Sequence, residues 1–294
     1  MRTNTRWLPA LLALAAAAPG AGAQEPGGEE AAAGAAQDDP AAEVATVLEE
    51  YDDAMKAFSE ASQAAKTEEE QEKAFSELYP HPSKYAPRLV AIAKAHPAHA
   101  AALEAASWVA ENAYGTKEQA EALELLVAHH AAAPEMADVS SSLRYVRTDE
   151  ARKVLRKVIE ANEHAAARAS ATYTLALHLA AEADQVRQLR AASEEVLTRQ
   201  ASFFGEDKLN ALMDKDPDLV AQEAEQLLCK VIEDYAAVAD GRYAKDAEGD
   251  LFALRNLALG KRAPEIEGKD LDGIPFKLSD YRGRVVVLDF WGHW

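Results

Sequence analysis

The chain has 294 residues, with 50 acidic against 31 basic side chains and a formal net charge of −19. A chain this acidic repels nucleic acid and anionic lipid, and no basic stripe reverses the balance. Its single cysteine, Cys229, excludes an internal disulfide, so folding must rest on burying the 49% of residues that are hydrophobic.

Residues 1–23 read as a secretory signal peptide. Arg2 and Arg6 give a basic start, Trp7 to Ala18 is apolar and broken by Pro9, and Pro19-Gly20 ends the run. Ala21-Gly22-Ala23 is the small-residue pattern of a cleavage site. The apolar core is too short for a spanning helix, although an uncleaved anchor is the alternative reading. No cysteine follows the cut, which speaks against a lipoprotein anchor. Losing the two leader arginines takes the net charge from −19 to −21. The expected protein is exported, periplasmic or extracellular, with no membrane span after cleavage and no nucleic-acid partner.

Gln24 to Pro40 is Gly, Ala, Glu and Pro without a large apolar residue. It reads as a disordered acidic linker, because it cannot bury enough surface to offset its ordering entropy.

Residues 41–258 read as a helical domain. Val44, Val47, Leu48, Tyr51, Met55 and Phe58 recur at three- and four-residue steps, one face of an amphipathic helix. A second helix is expected over Glu68 to Leu78, stopped by Tyr79-Pro80-His81-Pro82. Further breaks are expected at His96-Pro97, Gly115-Thr116, Pro134, Thr148-Asp149, Gly205, Asp216-Pro217 and Asp240-Gly241. Aromatic residues at helical spacing, such as Tyr51 with Phe58, are assigned to the core.

Lys157-Val158-Ile159-Glu160 recurs as Lys230-Val231-Ile232-Glu233, a separation of 73 residues. That is close to two helical-hairpin repeats. In each copy a second helix follows, holding Tyr173, Leu175, Ala176 and Leu177 in the first and Leu251, Phe252, Leu254 and Leu257 in the second. The fold class expected is mainly α, either a tetratricopeptide-like array of helical hairpins or an irregular bundle. A short β segment then closes the chain.

Within the helices the candidate sites are few. His129 and His130 are adjacent, so they point about 100° apart and cannot chelate one metal. His96 and His99 straddle Pro97 and read as solvent-facing or capping. Cys229 lies in an apolar helical run and reads as a buried structural thiol. No phosphate-binding glycine loop, metalloprotease signature or nucleophile elbow is present, and no metal or cofactor site is assigned.

Composition changes at Gly260. Leu271-Asp272-Gly273 is a turn between strands expected at Glu265–Leu271 and Ile274–Leu278. Ser279 to Gly283 is a second turn. Val285 to Trp291 is a continuous apolar run of the kind a strand buried on both faces shows.

These residues carry a resemblance. Ala263-Pro264-Glu265-Ile266, Asp270-Leu271-Asp272-Gly273, Phe276-Lys277-Leu278-Ser279-Asp280-Tyr281-Arg282-Gly283, and Val285 to Trp291 with Trp294 are similar to the opening of the redoxin family. They resemble most its TlpA-like, thioredoxin-fold thiol–disulfide oxidoreductases. The resemblance covers residues 260–294, so 259–294 reads as an incomplete thioredoxin-like domain. In that family a Cys-x-x-Cys follows at a helix N-terminus, whose amides stabilise the reactive thiolate. The thiolate attacks a client disulfide and the second cysteine resolves the mixed disulfide. Phe290, Trp291 and Trp294 would flank that site. No catalytic residue itself lies in the chain, because the sequence stops before the expected cysteine.

Three explanations of that stop are open: a selenocysteine codon read as a terminator, a sequence fragment, or a true truncation. Left uncovered, Val285 to Trp291 is an aggregation hazard. The expected function is an exported thiol–disulfide oxidoreductase, inactive as written, acting on protein disulfide or dithiol clients or a redox partner. The competing expectation is a helical protein-binding scaffold with a non-catalytic redoxin relic.

Overall fold

The computed structural model describes residues 39–290 and Gly292. The chain divides into Met1–Gln37 and Asp38–Trp294, and the description concerns the second. The leader expected at 1–23, and the linker as far as residue 38, lie outside the described residues. The linker's last two residues are already helical punctuation. Asp39 is an N-cap whose Oδ1 accepts from the Ala41 N–H at 3.0 Å, and Pro40 is the first residue of α1 (Pro40–Ala64). An acidic cap satisfies a free amide, and proline at the first helical position has no amide to satisfy.

The fold is mainly α, and its boundaries follow local chemistry. α2 (Glu68–Leu78) opens on a capping box, in which Thr67 Oγ1 accepts from the Glu70 N–H and the Glu70 carboxylate from the Thr67 N–H. α3 (Ala86–Ala95) stops at His96, and His99 caps α4 (Ala100–Asn112) through Nδ1, which accepts from the Ala101 N–H at 3.1 Å. α5 (Lys117–Leu125) starts at Thr116 and runs into one π-helical turn, Leu126–His130. α6 (Met136–Ser142) is followed by α7 (Asp149–Ala161), capped by Thr148. α8 (Ala165–Arg190) is the longest helix among the described residues. α9 (Glu194–Phe204) and α10 (Glu206–Met213) meet at Gly205, whose φ of +88° suits a residue without Cβ. Asp216 caps α11 (Pro217–Asp234), and α12 (Arg242–Asn256) leaves Gly241 at φ +77°.

One hydrophobic core runs from Val44 on α1 to Leu254 on α12. Towards its start α1, α3, α4 and α5 pack together. Towards its end α6, α7, α11 and α12 surround α8. α8 is buried on every side from Ala169 to Ala176, and its inner face stays buried through His178, Leu179 and Ala183 to Val186. Its small residues let neighbouring helices approach closely, and truncating a filler such as Leu175 to Ala would cost about 2–5 kcal/mol.

The recurring tetrapeptides lie in α7 and α11, and Val158 and Val231 are both wholly buried. α8 follows and packs on α7, and α12 follows and packs on α11. α9 and α10 separate the two pairs.

Buried polar groups tie the segments together. Asn162, between α7 and α8, donates from Nδ2 to the Ala131 and Ala133 carbonyls at 2.9 and 2.8 Å. Its Oδ1 accepts from the His164 N–H at 2.8 Å. Glu182 on α8 is 6% exposed and receives Arg152 of α7 at 2.5 Å and Lys215 at 2.9 Å. Two cations on one carboxylate offset the cost of burying it inside the fold.

After α12 the character changes. β1 (Glu267–Lys269) and β2 (Pro275–Lys277) form an antiparallel hairpin, with Gly268 opposite Phe276. Among the described residues none beyond Leu254 is buried. No helix among the described residues is long and apolar enough to cross a membrane.

Candidate functional site

The candidate site is built on the C-terminal hairpin. Asp270 folds the turn: its Oδ1 accepts from the Asp272 and Ile274 amides at 3.0 and 2.8 Å. Gly273 takes φ +80°, a conformation that costs an L side chain energy. Gly268 leaves room for the facing ring, because a Cβ there would meet Phe276 at 3.0 Å. Lys277 pairs with Glu267 across the strands. The strands are shorter than the expected 265–271 and 274–278, since pairing stops where Asp270 begins the turn and where Leu278 enters a helical turn, Leu278–Tyr281.

Two carboxylates fasten the segment after β2. Glu265 Oε1 accepts from the Ser279 N–H at 2.9 Å, and Asp280 Oδ2 accepts from the Lys277 N–H at 3.0 Å. The Ser279 hydrogen bonds hold the Glu265 carboxyl below its ordinary range. The Leu-Ser-Asp-Tyr-Arg-Gly segment is thereby locked onto the hairpin. Arg284 then donates its amide to the Tyr281 carbonyl at 3.1 Å.

Val285–Phe290 is not a strand. Val285 is 97% exposed and Phe290 81%, and among the described residues nothing pairs with the run. An apolar run becomes a strand only when neighbours accept its hydrogen bonds and cover its faces. Of the residues expected to flank the redox site, Phe290 is thus open to solvent, while Trp291 and Trp294 lie outside the described residues.

The other candidates separate. Cys229 is half-buried on α11 rather than fully buried. Its helix turns Ala224, Leu228 and Val231 to the core, and one residue past Leu228 rotates Cys229 about 100° away. Its Sγ sits 3.8 Å from the Arg255 guanidinium of α12, which Glu225 holds at 2.6 Å. His129 is exposed and His130 buried, with its Nε2 unpartnered; burial pushes the His130 imidazole below its usual pKa. Among the described residues no three His, Cys, Asp or Glu side chains are placed to hold a metal.

Phe58, assigned to the core from its spacing, lies outside it. It packs edge-on against Phe75 and Tyr79, and Phe75 is 52% exposed. The spacing showed that Phe58 shares a face with Tyr51; it could not show that the core ends between them.

No family model matches the chain, and no solved structure matches it. Short stretches are similar to curated oxidoreductases. Over 38 residues the chain is 47% identical to the thiol-disulfide oxidoreductase ResA of Geobacillus thermodenitrificans and, over an equal length, 50% identical to that of Geobacillus kaustophilus. Each match takes 13% of this chain and 22% of the relative. Over 47 residues it is 36% identical to ResA of Bacillus thuringiensis subsp. konkukian, 16% of this chain and 27% of that protein. The chain therefore spans about a quarter of the length of the curated relatives it matches. It contains a redoxin-like segment.

Proposed function

We propose that the chain belongs to an exported thiol–disulfide oxidoreductase of the redoxin type. The redoxin-like segment is residues 260–294, and residues 41–258 are a helical domain that positions it or holds the client. The observation that carries this reading is the short, high identity to thiol-disulfide oxidoreductases. The hairpin and the locked Leu278–Tyr281 turn support it, because they form where the resembling residues stand.

The chemistry is exchange. A thiolate attacks one sulfur of a client disulfide, and the other client sulfur leaves as thiolate. A second thiol then displaces the client from the mixed disulfide, so the protein dithiol is oxidised as the client disulfide is reduced. The chain's single cysteine is remote in sequence from the hairpin and has no partner thiol. The reactive pair, or a selenocysteine in its first position, therefore belongs after Trp294 on this reading. The test reads the gene beyond the Trp294 codon. A UGA codon or a cysteine codon followed by an in-frame helix with a second cysteine supports the proposal. Any other continuation contradicts it.

A second reading has its own observation: every buried residue described precedes Arg255, so the helices form a core without the tail. On that reading the helical domain is a protein-binding scaffold. Residues 41–258, expressed alone, then fold and capture a partner.

A further inference from the structure

We propose that the α1–α2 hairpin is a docking surface for a basic amphipathic segment of a partner protein. This holds whether or not the redox proposal does.

The hairpin extends past the core. From Met55 to Tyr79 only Ala74 is buried, and it lies outside the main cluster. What joins the two helices is a set of rings. Phe75 stacks on Tyr79 with centroids 4.9 Å apart and planes 19° apart. Phe58 meets them edge-on at 6.1 and 5.3 Å, and His81 meets Tyr79 at 4.9 Å. Phe75 and the neighbouring Leu78 remain 52% and 43% exposed. Phe58 and Tyr79 are half-buried beneath them, so the exposed edge is a contiguous patch, which marks an interaction site more often than a lone exposed residue does.

Charge selects the occupant. Residues 52–78 carry eight carboxylates against three lysines. None of the eight joins an ion pair among the described residues, although ion pairs are plentiful elsewhere. Glu68, Glu72 and Phe75 stand four and three residues apart, on one face of α2. A partner that covers the rings must bring an apolar stripe, and one that answers the rim must bring Lys or Arg. The ring faces themselves attract those cations. An amphipathic helix with a basic edge meets both needs.

The test uses the full chain and a synthetic helical peptide of Leu and Lys, with its Leu and Glu counterpart, followed by fluorescence polarisation. The Leu/Lys peptide is expected to bind and the Leu/Glu peptide not to. Phe75→Ala is expected to weaken binding about tenfold or more, the loss of one interface anchor. Leu78→Ser, outside the ring set, is expected to weaken it independently with helicity by circular dichroism unchanged, so the proposal stays testable even where Phe75→Ala loosens α2 from α1, and binding indifferent to Leu78→Ser overturns it. Glu68→Gln with Glu72→Gln is expected to weaken binding and flatten its salt dependence. Glu163→Gln with Glu195→Gln, equal in charge but elsewhere, is expected to change nothing. Equal weakening by that control, or binding indifferent to Phe75→Ala, overturns the proposal. So does a change of oligomeric state in Phe75→Ala, which makes a second copy the occupant. Phe75-dependent binding to zwitterionic vesicles in place of the peptide overturns it too.

Discussion

The Tyr173 hydroxyl donates to the Asp250 carboxylate at 2.6 Å, joining the central helix α8 to α12 across the end of the core. Tyr243 lies edge-on to the same ring at 6.0 Å, and the Arg144 guanidinium sits 5.9 Å from its centre. Burial, then the Asp250 bond, hold the phenol well above its ordinary pKa, so it remains a donor throughout the accessible pH range. Tyr173→Phe keeps the ring and removes the donor. The expected loss is about 1.5–3 kcal/mol, as for a hydrogen bond to a charged group, read by urea unfolding. An unchanged midpoint would mean that water replaces the hydroxyl at no cost.

His178 makes stability depend on acid. Its Nε2 meets the Leu143 and Arg144 carbonyls at 3.0 and 3.2 Å, and its Nδ1 is buried without a partner. Burial lowers its pKa from 6.5 to about 4, with Arg152 and Arg147 adding repulsion against the two carbonyl bonds. The unfolded chain therefore binds the proton first. Stability from this group is full above about pH 6.5 and is lost as pH falls towards 4, by about 3 kcal/mol in total. His178→Gln, which does not titrate, is expected to lessen the slope of unfolding free energy against pH over that window. An identical slope in the variant would assign the acid sensitivity to carboxylates.

Asn162 satisfies two carbonyls and one amide from a position 3% exposed. Asn162→Ala removes all three bonds and leaves the buried Ala131 carbonyl without its Asn162 donor, while the Ala133 carbonyl keeps the Met136 amide and the His164 amide lies nearer solvent. An unsatisfied buried group costs about 1–3 kcal/mol, so the change should cost more than a typical surface substitution. Thermal unfolding of Asn162→Ala beside Asn162→Asp, which keeps only the acceptor side, measures this.

The hairpin should respond locally. Gly273→Val forces a β-branched residue to φ +80° and is expected to cost the hairpin about 1 kcal/mol or more. Cross-strand amide signals of Gly268 and Phe276 should weaken in NMR spectra. The unfolding midpoint of the helices should stay where it is, because none of the described residues beyond Leu254 is buried. A parallel fall in both would show that the hairpin and the helical core unfold as one unit.

Helix boundaries were legible because caps are local chemistry. Thr116, Thr148 and Asp216 each hold the first amides of the helix that they precede, and Gly205 and Gly241 stand at helix junctions as expected. The burial of α8 was not legible: an Ala- and Thr-rich stretch packed on all sides has no periodic stripe to read. The π turn at Leu126–His130 has no composition signal. Asn162 looked like any polar residue in a helical run, since its partners come from residues 131 and 133 across a loop. At the candidate site the turns were readable, for Asp270 and Gly273 act within five residues. The state of Val285–Phe290 was not, because strand formation depends on neighbours that the run itself does not encode.

The central claim is that this chain carries part of a disulfide-exchange machine. It is tested most directly by expressing the gene's frame read through the Trp294 codon and measuring thiol release from a protein disulfide. The expected result is reduction of the disulfide that stops when the first Cys or Sec after Trp294 is replaced by Ser, while Cys229→Ser leaves it intact. Absence of any reduction, or activity abolished by Cys229→Ser alone, would contradict the account.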